Sequence, residues 1–422
     1  MAGSAWISRI VIALVQLASV RILISELGLD QYAVFALLTG LTGWYVLSDF
    51  GVGISVQNYI SESRAKGGSD AEYMAIAGIL AIFFLLLTSG FVYVISPYAG
   101  PFFLRQFGFM SDQEKTKLFF SVGLLLVAGG VGGVAYKIWY AEQKGYWSNI
   151  VPALASVIGF AGIVLIKDYI TANRLYLSLV VFILPTAILP LIALAYQVTG
   201  SVKKASKLNR SSFIHVLRRA MHFWGFAVMA AGVLQIDYVV MSQFLKAYDI
   251  AVYNISTKIF GFAFYFYGAV LGALWPVFAE ELANRKWQAV RLDMQKYLAW
   301  GLGFMALSTV MLLWLMPVAV HLLAPTKQLV VPFMFTLLLG SYYMVRIWTD
   351  TFAMVLQSMS DLKPFWIYVP VQMILSIVLQ WMLTPIWGIY GIVLGLLGSF
   401  LFTVSWALPW AVRQHHRLSE GH

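Results

Sequence analysis

Apolar residues run along this chain in long unbroken blocks separated by short polar connections. The hydrocarbon core of a bilayer, about 30 Å thick, is crossed by about twenty apolar residues wound as a helix. Twelve blocks reach that length: Ala5–Glu26, Gln31–Gln57, Glu72–Ile95, Leu118–Tyr140, Ser148–Lys167, Leu175–Val198, Met221–Leu245, Ile250–Ala279, Tyr297–Leu323, Leu329–Ser358, Pro364–Thr384 and Gly388–Val412. They are continuous and rich in Leu, Ile, Val and Phe. A membrane barrel would instead show short alternating segments. The pattern predicts an all-α polytopic membrane protein with 12 transmembrane helices.

The most polar stretch, GSVKKASKLNRSSFIHVLRR at 200–219, falls near the middle. It sets an N-terminal lobe at 1–200 with helices 1–6, a basic cytoplasmic linker at 201–219, and a C-terminal lobe at 220–422 with helices 7–12. An internal repeat agrees with two lobes. Shifted so that residue 33 falls on 251, Ala33, Val34, Thr39 and Gly43 match Ala251, Val252, Thr257 and Gly261. Leu27, Glu62 and Ala65 match Leu245, Glu280 and Ala283 in the same register. An even number of helices lies between the copies, so the lobes share one orientation. This is a parallel repeat about an axis along the membrane normal.

Composition narrows the class. The chain is 61% hydrophobic and 11% charged, where soluble domains carry ~25% charged residues. It has no cysteine, which excludes disulfides and thiolate sites. The first block has no basic segment ahead of it and continues past Arg21, so it reads as a retained helix rather than a cleaved signal. A net charge of +10 is explained by lysine and arginine in the connections, without nucleic acid. With a cytoplasmic N-terminus, sixteen such residues fall inside. Seven fall outside: Arg105, Lys115, Lys117, Lys167, Arg174, Lys246 and Lys327. The asymmetry puts both termini on the cytoplasmic side. The Pro97–Lys117 connection runs against it and reads as a short amphipathic segment on the outer face. The basic run at 200–219 reads as a positive-inside anchor, or as a dock for anionic lipid heads or a partner.

Catalytic signatures are absent. There is no H-E-x-x-H, no G-x-x-x-x-G-K-[ST] and no G-x-S-x-G. Of the six histidines, only the pair His415–His416 is adjacent, in the C-terminal tail. No enzyme, metal or cofactor is expected; coupling to a proton or cation gradient is left open. The chemistry lies instead in seven charges within apolar blocks: Arg9, Arg21, Asp49, Asp237, Lys258, Arg346 and Asp350. A charge at the centre of a membrane helix costs ~2.5–3.5 kcal/mol on insertion scales, so each must be paired or face water. Depth arithmetic at 1.5 Å per residue suggests pairs. Asp237 and Lys258 lie eight or nine residues from the turn at Lys246–Asp249, roughly 12–13 Å deep. Arg9 and Asp49 share a level near the cytoplasmic side. Arg346 and Asp350, four apart, can pair locally. Arg21 has no acid at its level. These charges are either neutralised pairs that hold helices together or the lining of a wet cavity that takes an anionic substrate. Lys137 reads as a snorkelling end residue. The glycines of D-F-G-V-G, Asp49–Gly53, allow a kink or a close helix contact.

Several motifs carry a resemblance. They are G-L-D-Q-Y at Gly28–Tyr32, D-F-G-V-G with nearby Asn58, A-E-Q-K-G-Y at Ala141–Tyr146, and the block from Gln235 to Lys258. In this order they resemble the Wzx-type O-antigen flippases, polysaccharide exporters of the multidrug/oligosaccharidyl-lipid/polysaccharide superfamily. Helices 9 to 12 match in hydropathy alone. The resemblance implies two six-helix lobes around a central cationic cavity that opens alternately to each side. It implies an undecaprenyl-diphosphate-linked oligosaccharide as substrate, with Lys258, Arg21 and Arg9 on cavity-lining helices. It also implies membrane lipid as a partner, and polymerase and export machinery of the same pathway. A drug/cation antiporter of the same superfamily is the alternative, but such chemistry favours unpaired acids, and here four bases stand against three acids. A passive scaffold or a synthase subunit fits seven intramembrane charges poorly.

Overall fold

The computed structural model describes residues 2–166, 173–202, 209–325, 329–359 and 361–420. The basic residues at 203–208, together with Lys167 and Lys327 from the loop count, lie outside these. All regular structure among the described residues is helical: α1 (Ala2–Gly40), α2 (Thr42–Tyr45), α3 (Val52–Ala65), α4 (Ala71–Phe103), α5 (Asp112–Gly132), α6 (Val134–Ala141), α7 (Trp147–Ile166), α8 (Arg174–Val202), α9 (Arg210–Leu234), α10 (Ile236–Phe244), α11 (Ala247–Ala283), α12 (Trp287–Leu323), α13 (Phe333–Ser358), α14 (Lys363–Trp387), α15 (Ile389–Phe402) and α16 (Val404–Glu420), with a short 3-10 turn at Val46–Asp49. Ten stretches among them are long and apolar enough to cross a membrane. The first, Ser4–Asp49, is interrupted at Gly28, whose φ of 74° and ψ of 176° only glycine adopts readily.

The chain forms two compact units, Met1–Ala231 and Gly232–His422. The boundary drawn from sequence lies earlier, in the polar stretch at 201–219. In the structure, most of α9 packs with the first unit. Val216 and Ala220 belong to the same buried cluster as Val52, Val56, Ile76, Val134 and Ile138, and Ser55 Oγ donates to the Val216 carbonyl at 2.8 Å.

Where the sequence suggests one helix over Gln31–Gln57, the structure has four pieces. α1 stops at Gly40, and α2 and the 3-10 turn follow. Phe50 (φ 50°) and Gly51 (φ 75°) are then left-handed before α3 starts. The Pro97–Lys117 connection also differs from the amphipathic segment expected. α4 carries Pro97 and Pro101 and runs on to Phe103. α5 then starts behind a capping box, with Ser111 Oγ accepting from Glu114 N and the Glu114 carboxylate accepting from Ser111 N.

In the second unit the core lies between α11, α12, α13 and α15. Phe260, Tyr267, Phe278 and Phe335 are fully buried there. α11 and α13 run alongside each other in one direction: Tyr343 Oη donates to the Thr257 carbonyl, and Tyr267 and Thr351 hydroxyls bond further along.

Candidate functional site

In the first unit, Asp49 ends the 3-10 turn and caps the helix that follows. Its Oδ1 accepts from Gly51 N at 2.8 Å and its Oδ2 from Gly53 N at 3.0 Å. Orphan N–H groups at a helix start favour a carboxylate. The cation beside it is Lys137 on α6, whose stem lies against Gly53 and whose charge acts on Asp49. The expected Arg9–Asp49 pair is therefore not formed. Depth arithmetic assumed an unbroken helix, and the chain is broken between Gly40 and Val52. Arg9 and Arg21 are both exposed side chains of α1, and neither makes an ion pair or hydrogen bond among the described residues.

The residue between Asp49 and Gly51 locks this knuckle. The Phe50 ring stacks on Phe84 at 4.3 Å on one side and on Trp224 at 4.9 Å on the other. The Trp224 indole N–H donates to the Leu47 carbonyl at 3.1 Å.

In the second unit, Asp237 sits in the first turn of α10, just after a break at Gln235 (φ −129°, ψ 0°). It is buried, at 5% exposure. Tyr253 on α11 donates its hydroxyl to Oδ2 at 2.6 Å, and Tyr238 N donates to Oδ1 at 2.9 Å. Asn254 in turn donates to the Tyr238 hydroxyl at 3.1 Å. The expected Asp237–Lys258 pair is thus replaced by Asp237–Tyr253. The two residues do lie on neighbouring helices, but equal depth is not equal azimuth. Lys258 is five residues beyond Tyr253, a rotation of roughly 140° about α11, so the two point to different faces. Lys258 is partly buried and makes no ion pair or hydrogen bond among the described residues.

One expected pair is present. Arg346 Nη2 meets Asp350 Oδ2 at 3.2 Å, and Arg346 Nη1 donates to the Tyr342 hydroxyl at 3.1 Å. The guanidinium also lies against Phe264 (5.1 Å) and Phe400 (5.6 Å), from α11 and α15. Aromatic faces attract a cation, more so when water is excluded. Arg346 is therefore clamped by two neighbouring helices as well as paired along its own.

Each intramembrane acid thus has a partner within its own unit. Asp49 has backbone N–H groups and Lys137, Asp237 has Tyr253, and Asp350 has Arg346. Three of the four cations proposed for the cavity, Arg9, Arg21 and Lys258, have none among the described residues. Tyr253 is the neighbour that charge counting missed, and Lys137, read from the sequence as a snorkelling end residue, is the cation beside Asp49. Tyr253 is sixteen residues from Asp237 across a tight turn, where hairpin register points to it.

The Asp237 arrangement has a testable consequence. Tyr253→Phe leaves a buried carboxylate short of a donor, and the expected cost is about 1–3 kcal/mol of stability. Thermal melting in detergent should show it. By the same geometry, Lys258→Gln is not expected to restore the abundance lost in Asp237→Asn. Recovery in that double variant would mean that the two charges pair after all.

Comparison with known proteins places this arrangement. The MatE family profile matches residues 227–382. A solved lipid II flippase, MurJ in an inward closed conformation, aligns with a TM-score of 0.71 at 14% identity, covering 97% of this chain and 86% of that one. An inward-facing multidrug resistance transporter of the MATE family aligns at 0.70 and 14% identity, covering 98% and 99%. These likenesses show the fold. Among full-length relatives, a Yersinia pseudotuberculosis protein named for O-antigen export is 36% identical over 417 residues, 98% of this chain and 95% of that one. A Salmonella typhi protein named as an O-antigen transporter is 37% identical over 409 residues, 97% of this chain and 94% of that one. Both names describe transport and neither describes an enzyme. On that near-complete similarity, the chain belongs to the O-antigen exporters, the Wzx-type polysaccharide flippases of the multidrug/oligosaccharidyl-lipid/polysaccharide superfamily.

Proposed function

We propose that this protein is an inner-membrane flippase for undecaprenyl-diphosphate-linked oligosaccharide repeat units. It carries them from the cytoplasmic to the periplasmic leaflet, for O-antigen, capsule or exopolysaccharide synthesis. The observation that carries the reading is the imbalance of partners among intramembrane charges: among the described residues the acids are satisfied, while Lys258, Arg21 and Arg9 are not. An unpaired cation inside a membrane segment is costly unless it meets water or an anion. A diphosphate is such an anion, and it cannot cross hydrocarbon uncompensated. In this reading twelve spans in two lobes, with both termini cytoplasmic, open a cationic cavity to each side in turn. The cations hold the diphosphate, the sugars cross in water and the prenyl tail stays in lipid.

The MatE match and the fold shared with multidrug transporters favour one alternative, a drug/cation antiporter. Such a carrier needs a carboxylate free to take a cationic drug or a coupling ion. Asp49 and Asp237 are both engaged by hydrogen bonds within the protein, which speaks for the flippase.

The test is a chromosomal deletion followed by analysis of lipid-linked intermediates in each leaflet. The expected outcome is loss of surface polymer, with glycosylated undecaprenyl diphosphate held in the cytoplasmic leaflet. Normal polymer and an unchanged leaflet distribution, with drug resistance altered instead, would favour the antiporter.

A further inference from the structure

α11 has two faces of opposite character. Tyr253, Phe260, Tyr267, Leu271, Leu274 and Phe278 recur at helical spacing and are buried, none above 8% exposure. The other face carries Lys258, Gly261, Tyr265, Gly268 and Gly272, at steps of three and four residues. This stripe is open. A Cβ on Gly268 or Gly272 would meet nothing within 4 Å, and one on Gly261 would touch only the Tyr343 hydroxyl, at 3.8 Å. Tyr265 is 48% exposed and makes no hydrogen bond or ring stack among the described residues.

Lys258 decides what the stripe faces. It lies eleven residues into a helix that begins at Ala247, roughly 16 Å along the axis. An ammonium at that depth with no partner among the described residues does not face hydrocarbon, so the stripe below it borders water rather than lipid. The spacing along it is informative. Lys258 and Tyr265 are seven residues apart, roughly 10.5 Å, and within about 20° of the same azimuth. Between and beyond them stand glycines, which leave that face of the helix open to the width of the missing side chains.

We propose that this stripe is the track for the glycan. Lys258 takes the diphosphate, and Tyr265 stacks on a sugar ring close to it. Gly261, Gly268 and Gly272 leave room for the sugars that follow. The order of chemistry along the helix, cation, aromatic ring, then open floor, matches that of a diphosphate-linked oligosaccharide. This inference rests on the flippase function proposed above and names which residues of the chain meet the sugar.

The experiment compares two probes on the full-length protein in lipid nanodiscs: bare undecaprenyl diphosphate, and the glycosylated lipid extracted from a strain lacking the transporter. Tyr265→Ala is expected to weaken binding of the glycosylated lipid about tenfold and to leave the bare lipid unchanged. Tyr265→Phe keeps the ring and should bind both as the wild type does. Lys258→Ala should weaken both. A second variant, Gly268→Leu, fills the stripe with a better helix former, so a loss of export at normal membrane abundance reports obstruction and not misfolding. Unchanged binding of the glycosylated lipid by Tyr265→Ala, or an equal loss for both lipids, would overturn the track. So would full export by Gly268→Leu. If the wild-type chain bound neither lipid, the flippase function itself would fall, and the track with it.

Discussion

Cells whose only copy carries Lys258→Ala are expected to lose surface polymer while keeping the protein in the membrane. The two halves of that outcome have separate causes. Hydrogen bonds to a charged group contribute about 1.5–3 kcal/mol, so the loss of one diphosphate contact lowers export about ten- to a hundredfold. Abundance should hold, because the change removes an unpaired charge from a membrane helix and with it an insertion cost of ~2.5–3.5 kcal/mol. A structural Lys258 would behave in the opposite way: its removal would strand a carboxylate and the protein would be lost. No carboxylate is paired with Lys258 among the described residues. Lys258→Arg should keep part of the activity, since the charge stays but a planar fork replaces a compact ammonium. Arg21→Ala is expected to follow Lys258→Ala. Wild-type polymer from both alanine variants at normal abundance would sink the cationic mechanism.

The sequence and the structure agree where hydropathy alone decides the outcome. Long apolar blocks became long helices because backbone groups in lipid must be satisfied within their own segment. Arg346 and Asp350 were legible as a pair because four residues on one helix fix both depth and azimuth. The other two pairs failed for reasons that a one-dimensional depth count cannot hold. Asp49 belongs to a segment that breaks twice, and its backbone neighbours reach it before any arginine does. Asp237 matches the charge at its own depth across the turn, Lys258, while the side chain that faces it, Tyr253, is neutral. The aromatic clamp on Arg346 draws on α11, α13 and α15, residues 264, 342 and 400. With 16% aromatic residues in the chain, nothing local marks those three. What the sequence did mark is the bend itself, through the glycines beside Asp49.

That bend gives the largest expected effect on stability. Gly51 is left-handed, at φ 75°, a conformation that costs a residue with a Cβ about 1–3 kcal/mol. Its environment adds a second cost. A Cβ there would lie 2.9 Å from Trp224 N and closer still to the Ala220 carbonyl oxygen, both backbone atoms of α9. Backbone cannot swing aside as a side-chain tip can, so either α9 or the knuckle must shift, at a further cost of about 1–3 kcal/mol. Together, about 2–6 kcal/mol is a large part of the 5–15 kcal/mol that ordinarily separates folded from unfolded states. Gly51→Ala is therefore expected to leave little folded protein, read as monodisperse yield and melting midpoint in detergent. Gly67 supplies the control. Its φ is also positive, at 69°, but a Cβ there meets nothing within 4 Å. Gly67→Ala should carry the conformational cost alone, about 1–3 kcal/mol. Equal behaviour of the two variants would mean that the contact between the knuckle and α9 is not tight. The stack of Phe50 between Phe84 and Trp224 would then be dispensable to the first unit. If Gly51→Ala alone collapses, the D-F-G-V-G segment earns its place as the point where α3, α4 and α9 are fastened. Asp49 then serves that fastening by capping α3.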